Sequence, residues 1–375
     1  MQILNKHHLK DMSNKTYIGR GSPFGNPFPM DLFRHDRELV VNLYRQFFLA
    51  QLANMTDMVK AVWALSRTQD LVCFCAPQAC HGDVILDFLH VTQGCKDLKE
   101  ARKLYLAGHN YVFLPAREGV DHINIYSKSL TPLGQLASNF AYTPFEHPVF
   151  GKFASMEGYW FYMGTGSRNE ELRELYGARA KAFGSQLEKV YRPDFEDLIV
   201  QGIEFKVQQT PELQKLLTEN HLPWKHYYFF GGPDNCKVVR EGNGLLERTY
   251  GRISRELGQS FKVIIAGSRD IKDPLVVYKA IADSKIRISE VVEGSAKGVD
   301  TIGMYYGKVN AIPVKTMAVT KEEWAASKGA GMKRNIDMGN YADKAVVVIK
   351  DNSKGSTQMA QYMRSLGKEV FTVNI

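Results

Sequence analysis

Glycine-rich loops with nearby charged side chains stand at three places in the last third of the chain. They occupy residues 266–269 (Ala-Gly-Ser-Arg), 293–298 (Glu-Gly-Ser-Ala-Lys-Gly) and 353–357 (Ser-Lys-Gly-Ser-Thr). Glycine lets backbone N–H groups approach a phosphate closely, and a helix that begins at such a loop favours negative charge there. Arg269 and Lys297 can add charge-assisted hydrogen bonds. Asp300 can cap its helix or hold a ribose hydroxyl. The loops together predict a phosphate-bearing nucleotide ligand.

A second candidate group lies in the middle of the chain, where Glu157 stands within the run Ser-Met-Glu-Gly-Tyr-Trp-Phe-Tyr. A carboxylate in such a setting can stabilise positive charge that develops in a reaction and can activate water. Tyr159, Trp160 and Phe161 are suited to stacking on a base or to forming a pocket wall. The alternative is a helix packed in the core whose glutamate faces solvent.

Four potential metal ligands, Cys73, Cys75, Cys80 and His81, fall within nine positions. Zinc accepts cysteine and histidine, but structural sites usually draw on two separated pairs, and adjacent Cys80 and His81 are awkward ligands for one ion. In a strand, Cys73 and Cys75 point to the same face, which also suits core packing. We therefore expect buried thiols with no metal or other cofactor. Zinc at these four residues, and a Cys80 thiolate activated by His81, are the alternatives.

The elements that would position these groups differ along the chain. Residues 36–67 have the apolar spacing of a long helix, residues 70–77 read as a short buried strand, and helices are predicted at 80–90 and 95–108. The middle of the chain is rich in helical patterns and aromatic residues. After residue 259, β-branched runs alternate with helical patterns, which is typical of a parallel sheet covered by helices.

We therefore predict an α/β protein with three domains. These are a small α/β domain at 1–108, a mainly helical α+β domain at 121–254, and a Rossmann-like, doubly wound parallel sheet at 259–375. In a sheet of that kind, ligands bind at the carboxyl ends of the strands, where the three glycine-rich loops would converge.

Length and composition exclude several classes of protein. The 375 residues are 44% hydrophobic, as in globular proteins, and no apolar run approaches the ~20 residues that cross a bilayer. No signal sequence is recognisable, and an odd count of five cysteines argues against a disulfide scaffold, so we expect a cytoplasmic protein that does not bind membranes. Much of the net charge of +8 lies after residue 259, where 18 Lys and Arg stand against 12 Asp and Glu. This excess favours an anionic ligand there.

The motifs AGSRD, EGSAKGVD, GMKRNIDM and KGSTQM, in this order, resemble the SLOG superfamily of Rossmann-like nucleotide-binding domains, and in particular its YspA-like (DUF2493) branch. The resemblance implies a ligand pocket lined by Gly267, Ser268, Arg269, Gly294, Gly298, Asp300, Arg334, Asn335, Gly355, Ser356 and Thr357. Some members are phosphoribohydrolases with a catalytic glutamate after the last loop. Gln361 stands near that position here, and glutamine cannot serve as a general acid or base. Binding is therefore expected in this domain rather than hydrolysis.

The run Leu-Ala-Ser-Asn-Phe at 136–140, the aromatic run around Glu157 and Gly-Asn-Gly-Leu-Leu at 242–246 resemble the NADAR (YbiA-like) family. Members are associated with N-glycosidic bonds, including removal of ADP-ribose from modified guanine. The resemblance implies two acids, Glu157 and Asp234, and a set of ligand-binding residues: Ser138, Asn139, Phe140, Trp160 and Asn243. The sequence departs from the family pattern at Gly158, where a histidine is usual, and no tryptophan follows Asp234.

The pair of motifs GRGSPFGNPF and LVCFCAPQACHGDVI resembles DUF4326, a small domain of unknown function. The resemblance brings no chemistry to these residues. The loop at Arg20 reads either as a further phosphate-facing turn or as a purely structural one.

These observations lead to three functional hypotheses, all set in bacterial or bacteriophage nucleotide signalling and defence. The first is an N-glycosidase that acts on an NAD-derived or ADP-ribosylated, guanine-linked substrate, with the SLOG-like domain recognising a nucleotide. The second is a non-catalytic binder that sequesters or senses a nucleotide such as a cyclic ADP-ribose. The third is a protein that repairs ADP-ribosylated nucleic acid, which requires salt-dependent DNA affinity. By analogy with SLOG-like domains, a homo-oligomer is compatible with each.

Overall fold

The computed structural model describes residues 1–65, 67–232, 236–240, 242–351 and 353–375. It is a mixed structure with 46% of residues in helices and 15% in strands, and it contains parallel sheets. The predicted α/β class is confirmed. Within the described ranges, every helix is too short or too polar to cross a membrane.

The N-terminal segment packs helices against a three-stranded parallel sheet with the strand order β1-β3-β2. The strands are β1 (Ile3–Asn5), β2 (Lys15–Tyr17) and β3 (Asp70–Cys73). The helices are α1 (Arg37–Ala53), α2 (Asp57–Trp63), α3 (His81–Val91) and α4 (Leu98–Gly108).

The long helix predicted over 36–67 is wrong, because two helices occupy this range. Helix α1 ends at its C-cap Asn54, and Met55 follows with a left-handed φ of 51°. A residue with a left-handed backbone conformation cannot continue a right-handed α-helix, so the chain turns before α2. Strand β3 ends at Cys73, four residues before the predicted end of the strand.

The middle segment is mainly helical. Its helices are α5 (Pro132–Ala137), α6 (Met156–Gly164), α7 (Gly177–Gly184), α8 (Phe195–Gln209), α9 (Pro211–Glu219) and α10 (Leu245–Leu257). Three short strand pairs accompany them: β4 (Ile123–Asn124) with β7 (Trp224–Lys225), β5 (Phe145–His147) with β6 (Gly151–Phe153), and β8 (Tyr228–Phe230) with β9 (Lys237–Val239). Helix α6 lies at the centre of this core, where Met156, Tyr159 and Met163 are fully buried.

The C-terminal segment is built on a five-stranded parallel sheet with the order β12-β11-β10-β13-β14. The strands are β10 (Phe261–Gly267), β11 (Ile288–Glu293), β12 (Val314–Thr316), β13 (Lys344–Ile349) and β14 (Val370–Asn374). The helices are α11 (Pro274–Asp283), α12 (Val299–Val309), α13 (Lys321–Ala326), α14 (Ala330–Tyr341) and α15 (Lys354–Ser365).

Both faces of this sheet are buried. Alternate residues of β10 point to opposite sides, so Val263 and Ile265 pack with α11 and α12, and Ile264 packs with α14 and α15. Strands buried on both faces are rich in valine and isoleucine, which explains the continuous apolar runs in the sequence. The strand order reverses between β10 and β13, and this reversal opens a crevice at their carboxyl ends.

Helix α1 connects the N-terminal and C-terminal segments. Residues from its first turns, including Leu39 and Leu43, are buried with the α11–α12 layer of the C-terminal sheet. Its later residues, including Phe48 and Leu52, belong to the N-terminal core. A buried ion pair between Asp36 and Lys272, 2.6 Å apart, adds to this contact.

Candidate functional site

A cavity of about 400 Å³ opens where the strand order reverses, at the carboxyl ends of β10 and β13. Eight of the residues predicted for the nucleotide pocket line it: Gly267, Ser268, Arg269, Asp300, Arg334, Asn335, Gly355 and Ser356. Residues that are more than 80 positions apart in sequence therefore meet around one space. The parallel sheet brings them together because the carboxyl ends of its strands share one edge.

The N-terminus of α15 forms one side of the cavity, which Ser353, Gly355 and Ser356 line. The hydroxyl of the N-cap residue Ser353 pairs with the hydroxyl of Ser356, 3.0 Å away, and not with a backbone amide of the first turn, so those amide groups stay available. A Cβ atom built at Gly355 meets no atom within 4 Å. This helix end therefore presents backbone donors and a positive dipole to open space, which suits an anion.

Ser268 has a structural role in the cavity wall. Its hydroxyl oxygen accepts a hydrogen bond from the amide of Lys350 at 2.8 Å and lies 3.1 Å from the carbonyl oxygen of the same residue, to which it donates. These bonds tie the loop after β10 to the loop after β13. Arg269 is exposed at the mouth of the cavity, so its guanidinium group is free to reach a ligand.

The carboxylate of Asp300 organises the loop after β11. It accepts hydrogen bonds from the amides of Gly294 at 3.0 Å and Ala296 at 3.4 Å. Burial, with a smaller contribution from nearby Glu293, raises the pKa of Asp300 to about 6. The backbone amides of residues 294 and 296 therefore already have an acceptor within the protein and are not available to a phosphate.

Arg334 reaches the same loop from α14. Its guanidinium group donates hydrogen bonds to the carbonyl oxygen of Gly294 and to the side chain of Asn335. A Cβ atom at Gly294 would lie 1.9 Å from the guanidinium, so glycine at this position permits the observed close approach of Arg334. Four residues predicted for the pocket are absent from the lining of this cavity: Gly294, Lys297, Gly298 and Thr357. Gly298 packs against the carbonyl oxygens of the loop after β10.

Sequence reasoning missed the contribution of Arg34, which comes from the N-terminal segment. Its guanidinium group pairs with the buried Glu293 at 2.7 Å and donates to the carbonyl oxygen of Ala296 and the hydroxyl of Thr301. This arginine therefore holds the loop after β11, to which Asp300 also binds. No sequence signal connects residues some 260 positions apart, so only the tertiary structure identifies this contact.

Glu157 lies in the first turn of α6, which begins after the N-cap Ser155. The backbone amide of Glu157 donates to the carbonyl oxygen of Asn139 at 2.9 Å, so the Ser-Asn-Phe run lies against the backbone of the residue that carries this carboxyl group. Burial raises the pKa of Glu157 to about 7, although the positive charge of Lys181 opposes the shift. The side-chain oxygen Oδ1 of Asn139 is buried without a hydrogen-bond partner among the described residues.

Lys181 is a residue of this group that the sequence did not indicate. Its ammonium group lies 5.9 Å from the centre of the Phe140 ring and 5.8 Å from that of the Tyr228 ring. An acid, a cation, an amide and aromatic rings thus share one region. These are the kinds of side chain that bind a sugar phosphate and a base.

The other residues predicted for this region have structural contacts. Trp160 packs edge-on against Phe195, with ring centres 5.0 Å apart. The Ser138 hydroxyl accepts from the amide of Phe140. Asn243 is exposed and donates to Glu196 at 2.5 Å. Asp234, the second predicted acid, lies outside the described residues.

The side chain of Lys206, which is fully buried, binds the C-terminus of α5. Its ammonium group donates to the carbonyl oxygens of Ala137 at 3.3 Å and Ser138 at 3.0 Å. Burial lowers the pKa of Lys206 to about 7. This lysine positions the chain immediately before Asn139, and nothing in the sequence distinguishes it from the other lysines of the chain.

The four potential ligands of the N-terminal segment all line a second cavity, of about 510 Å³. Cys73, Cys80 and His81 are buried, and Cys75 is half-buried. Arg20, from the predicted phosphate-facing turn, lies on the same cavity. All of the cysteines are free thiols.

Comparison with known proteins bears on the N-terminal segment. Residues 2–91 match the family described as a domain of unknown function, DUF4326. The resemblance found in the sequence is thereby confirmed, and the match runs from β1 through α3. No curated protein and no solved structure matches the chain.

Proposed function

We propose that this protein binds a nucleotide of the ADP-ribose class in the cavity at the carboxyl edge of its C-terminal sheet. The observation that carries the proposal is the position of the α15 N-terminus beside Arg269 and Arg334 around that cavity. Its volume of about 400 Å³ falls within the range of small-ligand sites, roughly 300–1,000 Å³. In this proposal, the C-terminal segment is a SLOG-like domain.

Each part of the ligand has a counterpart in the cavity. The free amides at the start of α15 and the exposed Arg269 would hold a phosphate group. The side chain of Asn335 offers a donor and an acceptor for a ribose or a base. Asp300 is engaged with two loop amides, and Gln361 replaces the acid of the hydrolytic relatives, so this site is proposed to bind and not to cleave.

Glu157, the acid of the middle segment, favours a second function. We propose that this segment is a NADAR-like domain. The pKa of Glu157 is raised by burial to about 7, so both protonation states of this carboxyl are available near neutral pH. We propose that Glu157 supports hydrolysis of an N-glycosidic bond of an ADP-ribosyl compound. The bond between the anomeric carbon and the base nitrogen breaks, and its electrons stay with the nitrogen. A water oxygen bonds to the carbon, and Glu157 accepts the proton that this water loses. The proton then passes from Glu157 to the released nitrogen, or to solvent where the base leaves neutral, as nicotinamide does.

One experiment tests both functions. The full chain is incubated with NAD, ADP-ribose, cyclic ADP-ribose and an ADP-ribosylated guanine oligonucleotide, and each mixture is analysed by chromatography before and after denaturation of the protein. A product that forms with the wild type and not with Glu157→Gln supports the hydrolase. A ligand that is depleted and then recovered unchanged supports a binder that sequesters its nucleotide. If none of the four compounds is bound or converted, both proposals fail.

A further inference from the structure

Three buried side chains of the N-terminal segment bring potential metal ligands together. The sulfur atoms of Cys73 and Cys80 and a ring nitrogen of His81 all lie within 4.8 Å of one another. In a tetrahedral zinc site with Zn–S bonds of ~2.3 Å, two sulfur ligands lie roughly 3.8 Å apart. Small side-chain rotations are therefore enough to convert the observed cluster into a coordination sphere.

The backbone explains how the adjacent Cys80 and His81 can serve one ion. Cys80 is the N-cap of α3 and has an extended backbone, with φ −146° and ψ 166°, whereas His81 is the first helical residue. This change of conformation turns the two side chains toward each other, with Cys80 Sγ 3.9 Å from His81 Nδ1. The Cys80 sulfur also accepts a hydrogen bond from the amide of Gly82 at 3.2 Å. A thiolate ligand is stabilised by such a donor.

The orientation of the His81 ring is that of a metal ligand. Its Nε2 lies 2.8 Å from the carbonyl oxygen of Ile18. A carbonyl oxygen only accepts, so Nε2 carries the proton and the lone pair of the neutral ring is on Nδ1, which faces Cys80. Metal-binding histidines almost always donate their other N–H in this way, which fixes the tautomer and the ring orientation.

Cys75 is the fourth potential ligand, and Arg37 brings a positive charge to the same place. Both residues line the cavity that Cys73, Cys80 and His81 also line, and Cys75 follows Cys73 by two positions. Arg37 is held in place by a hydrogen bond to the carbonyl oxygen of Ala79 at 3.3 Å. Three thiolates, a neutral imidazole and Zn²⁺ leave a single negative charge, which the neighbouring arginine would neutralise.

We propose that Cys73, Cys75, Cys80 and His81 bind one zinc ion. Thiolate ligands together with imidazole favour zinc among the common divalent metals. The ion would join the end of β3 to the start of α3 and, through His81, to the chain after β2. Binding would release the protons of the three thiols, so the affinity would rise with pH. This proposal is independent of the nucleotide site and of the hydrolase.

The test is the metal content of the purified full-length protein, measured by inductively coupled plasma mass spectrometry after expression with added zinc. We expect about one zinc ion per chain in the wild type. Because Cys75 is only half-buried, Cys75→Ser is the ligand substitution that should disturb folding least. It should weaken zinc binding more than ~10-fold, since changing even a residue that only supports a ligand lowers metal affinity by that factor. Cys95→Ser and Cys236→Ser, which alter cysteines outside the cluster, should keep the full zinc content.

A second measurement does not depend on whether a variant folds. Cobalt(II) added to chelator-treated wild-type protein should produce thiolate-to-cobalt charge-transfer bands and the intense visible bands of a tetrahedral site. Wild-type protein that contains no zinc and gives no thiolate–cobalt bands would overturn the proposal. A zinc content that falls as much in Cys95→Ser or Cys236→Ser as in Cys75→Ser would overturn it as well.

Discussion

The substitution Gly355→Asp separates binding from stability at the proposed nucleotide site. Gly355 is exposed in the first turn of α15, and a Cβ atom there meets nothing within 4 Å, so the aspartate fits without a clash. A negative side chain in the first turn stabilises a helix by about 0.3–1 kcal/mol through the helix dipole. The variant is therefore expected to fold at least as well as the wild type.

The same charge should weaken the binding of a phosphate at the start of the helix. Two like charges ~4 Å apart repel each other by about 1 kcal/mol in water and about 4 kcal/mol at the effective dielectric constant of a protein surface. Because residue 355 is exposed, we expect a value nearer the lower limit, about 2 kcal/mol. Since every ~1.4 kcal/mol is a factor of ten in affinity, the variant should bind ADP-ribose roughly 30-fold more weakly.

Isothermal titration calorimetry with ADP-ribose measures this effect, and two variants control it. Gly355→Asn has the same shape as the aspartate without its charge, and Gly94→Asp places the same charge at an exposed glycine of the N-terminal segment. Both variants should bind ADP-ribose with an affinity within a few-fold of the wild type. Higher salt should reduce the difference in affinity between Gly355→Asp and Gly355→Asn, because it screens the repulsion. Equal affinities for Gly355→Asp and Gly355→Asn would refute the placement of the phosphate at this helix.

Three further predictions concern buried charges, and urea unfolding measures each of them. The raised pKa of Glu157 means that the folded protein binds a proton that the unfolded chain releases between pH 4.5 and about 7, so stability falls across this range. Glu157→Gln should remove that loss and stabilise the protein at pH 8 by roughly 3 kcal/mol, with no gain at pH 4. Arg34→Ala should destabilise the protein by about 3 kcal/mol because it leaves the carboxylate of Glu293 buried without its cation, and adding Glu293→Gln should restore part of the loss. The lowered pKa of Lys206 contributes a rise in stability with pH above about 7, and this rise should be smaller in Lys206→Met than in the wild type but unchanged in the exposed control Lys215→Met.

Much of the fold could be read from the sequence because it depends on local patterns. The valine and isoleucine runs of β10 and β13 alternate with helical patterns, and such an alternation has few stable arrangements other than a covered parallel sheet. The helix predicted from residue 80 begins there, and the structure shows why: Cys80 caps the first turn, and Asp83, three positions later, completes a capping box. The break between α1 and α2 was missed, since the apolar spacing continues through Met55.

For a related reason, the sequence identified some residues of the candidate sites and not others. The residues around the C-terminal cavity lie in loops that directly follow strands, and the sheet itself determines that such loops meet at one edge. The sequence could not show which glycines face the cavity and which pack against protein. Gly355 is open to the cavity, whereas Gly294 is covered by the guanidinium of Arg334. That difference depends on a side chain from another helix.

The sequence by itself determined the residue types, the parallel α/β class and the order of the glycine-rich loops, because these depend on neighbours along the chain. Only the tertiary structure decided which of these groups are charged, free or paired. It brought Arg34 to the loop of Asp300, buried Lys206 behind the Ser-Asn-Phe run, and turned Cys80 and His81 toward each other. Burial and long-range contacts set the pKa values and the hydrogen bonds, and neither can be derived from the spacing of residues in the chain.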